Sequence, residues 1–141
     1  MFLDASVVAA VLLQEEDGPA FLKAMEAARG TLRYSPIVRL EATLALVRKR
    51  VERRGKGPAT AEDFAAATDL VDELLKALEA KEMHITGSMG AEAIRALSAY
   101  GKVVGHPAQL NMGDALSYAC AKAYHVPLLY KGDDFSQTDL A

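Results

Sequence analysis

The sequence predicts an α/β fold: a central parallel sheet of about five strands, flanked by helices in three layers. Three observations carry this expectation. Short apolar runs alternate with longer amphipathic ones, the pattern of parallel strands joined by crossover helices. The longer stretches hold a helical period, as at Ile37, Leu40, Leu44, Val47 and Val51, read as one buried stripe. The 141 residues, 51% hydrophobic and 25% charged, suit one domain spanning 1–141 with a real core.

Met1 to Asp4 opens as a brief strand, followed by an apolar helix from about Ser6 to Leu13. Asp17 is a candidate N-cap for a second helix from about Gly18 to Arg29, with Pro19 at a tolerated early position and Gly30 closing it. Thr31 to Ser35 reads as the second strand. Pro36 starts a long helix to roughly Arg54, ended by Gly55-Lys56-Gly57-Pro58. Thr60 with Asp63 resembles a capping box. It opens a helix whose apolar face is Phe64, Ala67, Val71, Leu74, Leu75 and Leu78. A strand near Glu82 to Thr86 follows, then a helix capped by Ser88 and reaching about Tyr100. An irregular loop, Gly101 to Leu110, leads into a helix from Asn111 to Tyr124, and Pro127 to Tyr130 is the last strand. No internal repeat, low-complexity segment or domain linker interrupts this order.

Composition removes several classes of function. A single cysteine, Cys120, excludes an internal disulfide framework and a cysteine-based zinc site, and suits a reducing compartment. No apolar run is long enough to cross a bilayer, and the N-terminus lacks a secretion signal, so a cytoplasmic protein is expected. His84, His106 and His125 lack metal-ligand spacing. Ser6 is not in a nucleophile elbow, and no glycine-rich phosphate cradle occurs. The net charge of −3 does not advertise nucleic-acid binding. Yet Arg48, Lys49, Arg50, Arg53, Arg54 and Lys56 fall close together. A solvated helix end explains them without function; a phosphate-contacting surface is the sharper reading.

Acidic residues carry the chemistry. Asp4 ends the first strand, Glu41 lies in the first turns after the second, and Asp133 and Asp134 follow the last. In a parallel α/β sheet these positions share one rim, where ligands bind. Asp114 stands at a helix start, where the dipole favours negative charge. Each has a plain alternative: a cap for Asp4, a cap region with Asn111 for Asp114, a turn for Asp133-Asp134. Glu41 instead borders an apolar stripe, with Arg48 the basic residue on its face. Converging carboxylates repel, each pair at 4 Å costing about 1 kcal/mol in water and about 4 at an effective dielectric near 20. A cation among the oxygens resolves that conflict, which points to a metal-dependent enzyme acting on a phosphate-bearing substrate.

The segments Asp4-Ala5-Ser6, Leu40-Glu41-Ala42, Leu110 to Ala115 and Lys131 to Leu140 resemble, in order, the acidic motifs of PIN-domain nucleases. More narrowly they resemble the VapC toxins of bacterial toxin–antitoxin pairs. The resemblance spans nearly the whole chain. Asn-x-Gly-Asp and Lys-Gly-x-Asp-Phe are its specific parts. It implies a Mg²⁺-dependent endoribonuclease (Mn²⁺ substituting), an RNA substrate, a VapB-type antitoxin and a homodimer. Carried over by motif, Asp4, Glu41 and Asp114 are the core catalytic and metal-site acids, and Asp134 is the fourth with Asp133 as its alternate. Ser6 and Asn111 support them by hydrogen bonds, and Arg48, Arg50, Arg53, Arg54 and Lys131 bind RNA phosphates. The chain departs from the family pattern where Tyr130 and Gly132 replace a Thr and an Asp, and where Ala5 replaces a hydroxyl residue. Two rivals are a catalytically silent PIN-like binding module and a phosphoacceptor receiver domain. The second is disfavoured because Tyr34-Ser35-Pro36 puts no acid at that strand end.

Overall fold

Phe2 and Leu3 are fully buried, and they form the strand on which the fold is built. A computed structural model describes residues 1–140. Its strands are β1 (Phe2–Leu3), β2 (Arg33–Tyr34), β3 (Lys81–Glu82) and β4 (Leu128–Leu129). Its helices are α1 (Ala5–Leu12), α2 (Gly18–Ala27), α3 (Pro36–Arg54), α4 (Ala61–Ala77), α5 (Gly87–Tyr100) and α6 (Met112–Ala123). Short 3₁₀ turns cover Lys102–Val104 and Asp134–Gln137.

The sheet has four strands in the order β3-β2-β1-β4, one fewer than the five expected. Every pairing is parallel, with Phe2 opposite both Arg33 and Leu128, and Tyr34 opposite Glu82. Gly101 and Leu110 form an isolated parallel bridge outside the named strands. Central position and helix cover explain why β1 is apolar at both residues. Because all strands run the same way, Asp4, Ser35 and Tyr130 leave the sheet at one edge.

The helix boundaries follow local chemistry. Ser35 is extended and accepts the amide of Val38 at 3.2 Å, Pro36 follows at the first turn, and Gly55 closes α3 at φ 86°. The Thr60–Asp63 capping box opens α4 as expected. Two caps differ. Thr86, not Ser88, caps α5, because Thr86 is the extended residue and its hydroxyl accepts the amide of Met89. Asp17 precedes α2 but makes no capping bond; its carboxylate is drawn to the ammonium of Lys131 at 3.0 Å.

The expected stripe of α3 also needs correction. Val38, Ala42, Thr43, Leu46 and Val47 face the core, while Leu40 is 51% exposed. The helix carries apolar residues on two faces, and the period alone does not say which one the sheet covers. On α4, Ala67, Val71 and Leu75 are buried as expected, followed by Leu78, but Phe64 is 41% exposed. Helix α6 is buried along most of its length by small residues, including Ala115, Ala119, Cys120 and Ala121. Burial pushes the Cys120 thiol up to about 11, so it is an inert packing group.

Candidate functional site

Four elements deliver carboxylates to the sheet edge. Asp4 is the residue at which β1 becomes α1, and it is 6% exposed. Its Oδ2 accepts the Ser6 amide at 3.1 Å and the Ser6 hydroxyl at 2.6 Å. Its Oδ1 accepts the Ser117 hydroxyl at 2.8 Å. The Ser6 oxygen in turn accepts the Lys131 amide at 3.0 Å, joining the loop after β4 to this network. Ala5 contributes no hydroxyl, and Ser6 supplies the one that reaches Asp4.

Asp114 enters from the first turn of α6, closing a capping box with Asn111. The Asn111 amide donates to Asp114 Oδ2 at 3.0 Å, and the Asp114 amide donates to Asn111 Oδ1 at 2.9 Å. Burial pushes its carboxyl up to about 6, the Asn111 amide opposes this, and the charges of Asp4 and Asp134 add to it. Glu41, on α3, comes to lie directly against Gly113. Its carboxyl rises to about 7, first by burial and then by the charges of Asp4 and Asp114, with Arg48 pulling the other way. Acids far apart in sequence thus perturb one another.

Asp134 opens the last 3₁₀ turn, and its charge reaches Asp114. Asp133 is exposed, and its backbone carbonyl is occupied by the Ser136 amide and hydroxyl. The turn is anchored by Phe135, which is buried and stacks edge-on against Tyr130 with centroids 4.9 Å apart.

Glu41 lines a cleft of about 410 Å³ between α1, α3 and the start of α6. Ser6, Glu41, Arg48 and Gly113 are its polar or glycine lining, and Ile37, Leu40, Leu44 and Met112 give it an apolar wall. This is where the second apolar face of α3 is used. The arginine run divides here. Arg48 lines the cleft, whereas Arg50 and Arg54 grip the buried Asp63, Arg54 through two bonds of 2.9 Å. Arg53 is exposed beside that pair. Lys131 directs its ammonium to Glu15 and Asp17.

The PIN domain model matches residues 1–140 of the chain. A VapC ribonuclease of Rhizobium meliloti (strain 1021) is 46% identical over 140 residues, covering 99% of this chain and 98% of the relative. The chain belongs to the PIN-domain family, among the VapC proteins. Ribonuclease VapC42 of Mycobacterium tuberculosis is 31% identical over 99% of this chain and 96% of its own length. The crystal structure of Mycobacterium tuberculosis VapC20, a toxin that cleaves the sarcin–ricin loop, matches with a TM-score of 0.62. That match covers 96% of this chain and 92% of VapC20 at 17% identity, and it supports the fold.

The donor set suits a hard divalent cation: all oxygen, negatively charged and opening to solvent. Among the described residues, no three His, Cys, Asp or Glu side chains are grouped so as to hold a metal ion. Mg²⁺ does not require such a group, since it usually keeps several waters and takes only one or two protein carboxylates. Two contributors escaped sequence reasoning. Ser117 could have been suspected as a polar residue among the small apolar ones of α6, one turn after Asp114. Gly113 could have been read as the space that a neighbouring side chain fills.

Proposed function

We propose that the chain is a Mg²⁺-dependent endoribonuclease, the toxin of a type II toxin–antitoxin pair. The observation that carries the proposal is the seating of Glu41 against Gly113, where its charge is felt together with those of Asp4 and Asp114. That arrangement raises the energy of the site until a cation enters, which is the expected state of a metal centre rather than of a set of helix caps.

Asp4, Asp114, Glu41 and Asp134 (with Asp133 as alternate) are the residues that would hold Mg²⁺ or Mn²⁺. Ser6 and Asn111 orient Asp4 and Asp114 by the bonds described above. A bound cation supplies a water of lowered pKa and neutralises charge that grows on the phosphodiester. One of these carboxylates would accept the proton of that water. Arg48, inside the cleft, contacts flanking phosphates; Arg53 lies away from the cleft beside Arg50, Arg54 and Asp63, and Arg50, Arg54 and Lys131 are already engaged in ion pairs. The proposal extends to a VapB-type antitoxin covering the cleft, a homodimer and a cytoplasmic location. Among the described residues, no helix is long and apolar enough to cross a membrane.

Defined RNAs incubated with and without Mn²⁺ test the reading. Wild-type protein should cleave only with metal, and Asp4→Asn should fold but not cleave. The open donor set gives one rival a foothold, the catalytically silent binding module. An intact site gains stability from metal by mass action, about 2.7 kcal/mol at one hundred times Kd. No thermal shift at millimolar Mn²⁺ would select the silent reading.

A further inference from the structure

We infer that Ser117 is a positioning residue of the active site, a strut that fixes the carboxylate of Asp4 relative to Asp114. The inference rests on the metal reading above and adds to it a residue outside the acidic motifs. Ser117 is 1% exposed, so it touches no substrate. Its hydroxyl donates to Asp4 Oδ1 at 2.8 Å across 113 positions of sequence. The other oxygen of Asp4 is held from the opposite side, by the amide and hydroxyl of Ser6. With donors on both oxygens, the carboxylate plane cannot turn about its last bond without breaking one set.

Three features separate this bond from an ordinary satisfied core hydroxyl. The surrounding positions of α6 are filled by Ala115, Ala119 and Ala121, so the helix packs there without a polar group. The acceptor is a charged carboxylate, which makes the bond a strong one. Asp114 and Ser117 lie three apart on one helix, hence on neighbouring points of one face. One helix therefore carries one acid of the site and orients another, and their separation is set by a rigid element. Removing the hydroxyl leaves Oδ1 without its protein donor and frees the carboxylate to rotate away from the geometry that a cation needs.

The test is Mn²⁺ affinity by calorimetry in the absence of RNA, together with steady-state cleavage, for wild type, Ser117→Ala and Ser117→Thr. Groups that hold a metal ligand from behind typically cost about 10- to 100-fold in metal affinity or activity when lost. Ser117→Ala should bind Mn²⁺ at least about tenfold more weakly and lose kcat by a similar factor, with KM for RNA unchanged. Its melting temperature without metal should stay close to wild type, and Ser117→Thr, which restores a hydroxyl, should recover most of the affinity. Should Ser117→Ala not fold, Ser117→Cys, of similar size and a poor donor, carries the same comparison. Wild-type affinity and kcat in the folded Ala or Cys variant would overturn the strut while leaving the metal site standing. Failure of the wild type itself to bind Mn²⁺ would overturn both, because Asp4 would then have no ion to be aimed at.

Discussion

Gly113 leaves open the space that the carboxylate of Glu41 occupies: a methyl group at that position would overlap Glu41 Oε1, Oε2 and Cδ. The glycine sits in the first turn of α6 beside Asp114, at a backbone conformation that other residues adopt freely. Gly113→Ala therefore sets two effects against each other. Alanine favours a helix interior by up to about 1 kcal/mol over glycine, and less this near the end. The obstructing atoms, however, are the far end of a flexible side chain, so Glu41 moves and the helix stays. The variant should melt at or slightly above the wild-type temperature and lose cleavage by tenfold or more. A lowered melting temperature with full cleavage would show that α6, not Glu41, had yielded.

The acid cluster gives the protein without metal an unusual pH dependence. Glu41 rises from 4.5 to about 7 and Asp114 from 3.8 to about 6. Both folded values exceed the unfolded ones, so the fold favours the protonated forms. Their stabilising contribution is complete at low pH and is lost as pH rises through about 6 and then about 7. Metal-free protein should thus lose melting temperature from these groups between about pH 4 and about pH 7. Added Mn²⁺ should reverse the trend, because ions and protons compete for the same oxygens. Glu41→Gln should flatten the metal-free curve. A wild-type curve without metal that rises through that interval and is unaltered by Glu41→Gln would contradict the coupling.

The first, second and last strands and the Thr60 capping box are legible in the sequence because each is a local or periodic signal, whereas the third strand is Lys81–Glu82 and not the expected Glu82 to Thr86. Asp4 follows two apolar residues, Thr60 precedes Asp63 by three, and Asn111 precedes Asp114 by three; no tertiary information is needed for any of them. What stayed hidden depends on partners distant in the chain. Leu40 shares a period with buried residues yet lines the cleft, since nothing local says which of two apolar faces meets the sheet. Asp17 has the form of a cap, but Lys131, more than a hundred residues away, is the stronger partner for its charge. Ser117 is visible as a polar residue on a helix of small ones, but its acceptor, at the end of β1, lies 113 positions away in the chain. The likeness to the PIN family supplied the order of the acids, and the folded chain supplied the reason that Glu41 reaches them.

Arg48 alone of the arginine run lines the acid cleft, two helical turns beyond Glu41. By the rise of an α-helix the two residues stand about 10 Å apart along α3, and under the proposed function Arg48 is assigned to a phosphate near the reacting one. Arg48→Ala should weaken binding to all RNAs similarly and lower the slope of log affinity against log salt by about one. Measuring that slope on the Asp4→Asn protein, which binds without cutting, isolates the contact. An unchanged slope would remove Arg48 from the RNA surface.

Asp63 ties the end of α3 to the start of α4. Its carboxylate accepts two bonds from Arg54, one from Arg50 at 3.3 Å, and the Thr60 amide at 2.9 Å. The Arg54 guanidinium, with the Thr60 amide second, holds its carboxyl well below the usual range. A depressed carboxylate stabilises the fold above its unfolded value of 3.8 and loses that contribution as pH falls toward the folded one. Asp63→Asn keeps the shape of the cap but loses the charge, leaving two arginines without their counterion. It should lower the melting temperature near neutral pH and make unfolding below about pH 4 less steep than in wild type. None of Asp63, Arg50 and Arg54 lines the acid cleft, so the folded variant should retain its kcat well below its melting temperature. A variant that melts like wild type yet cleaves more slowly would place this clamp in the reaction instead of in the scaffold.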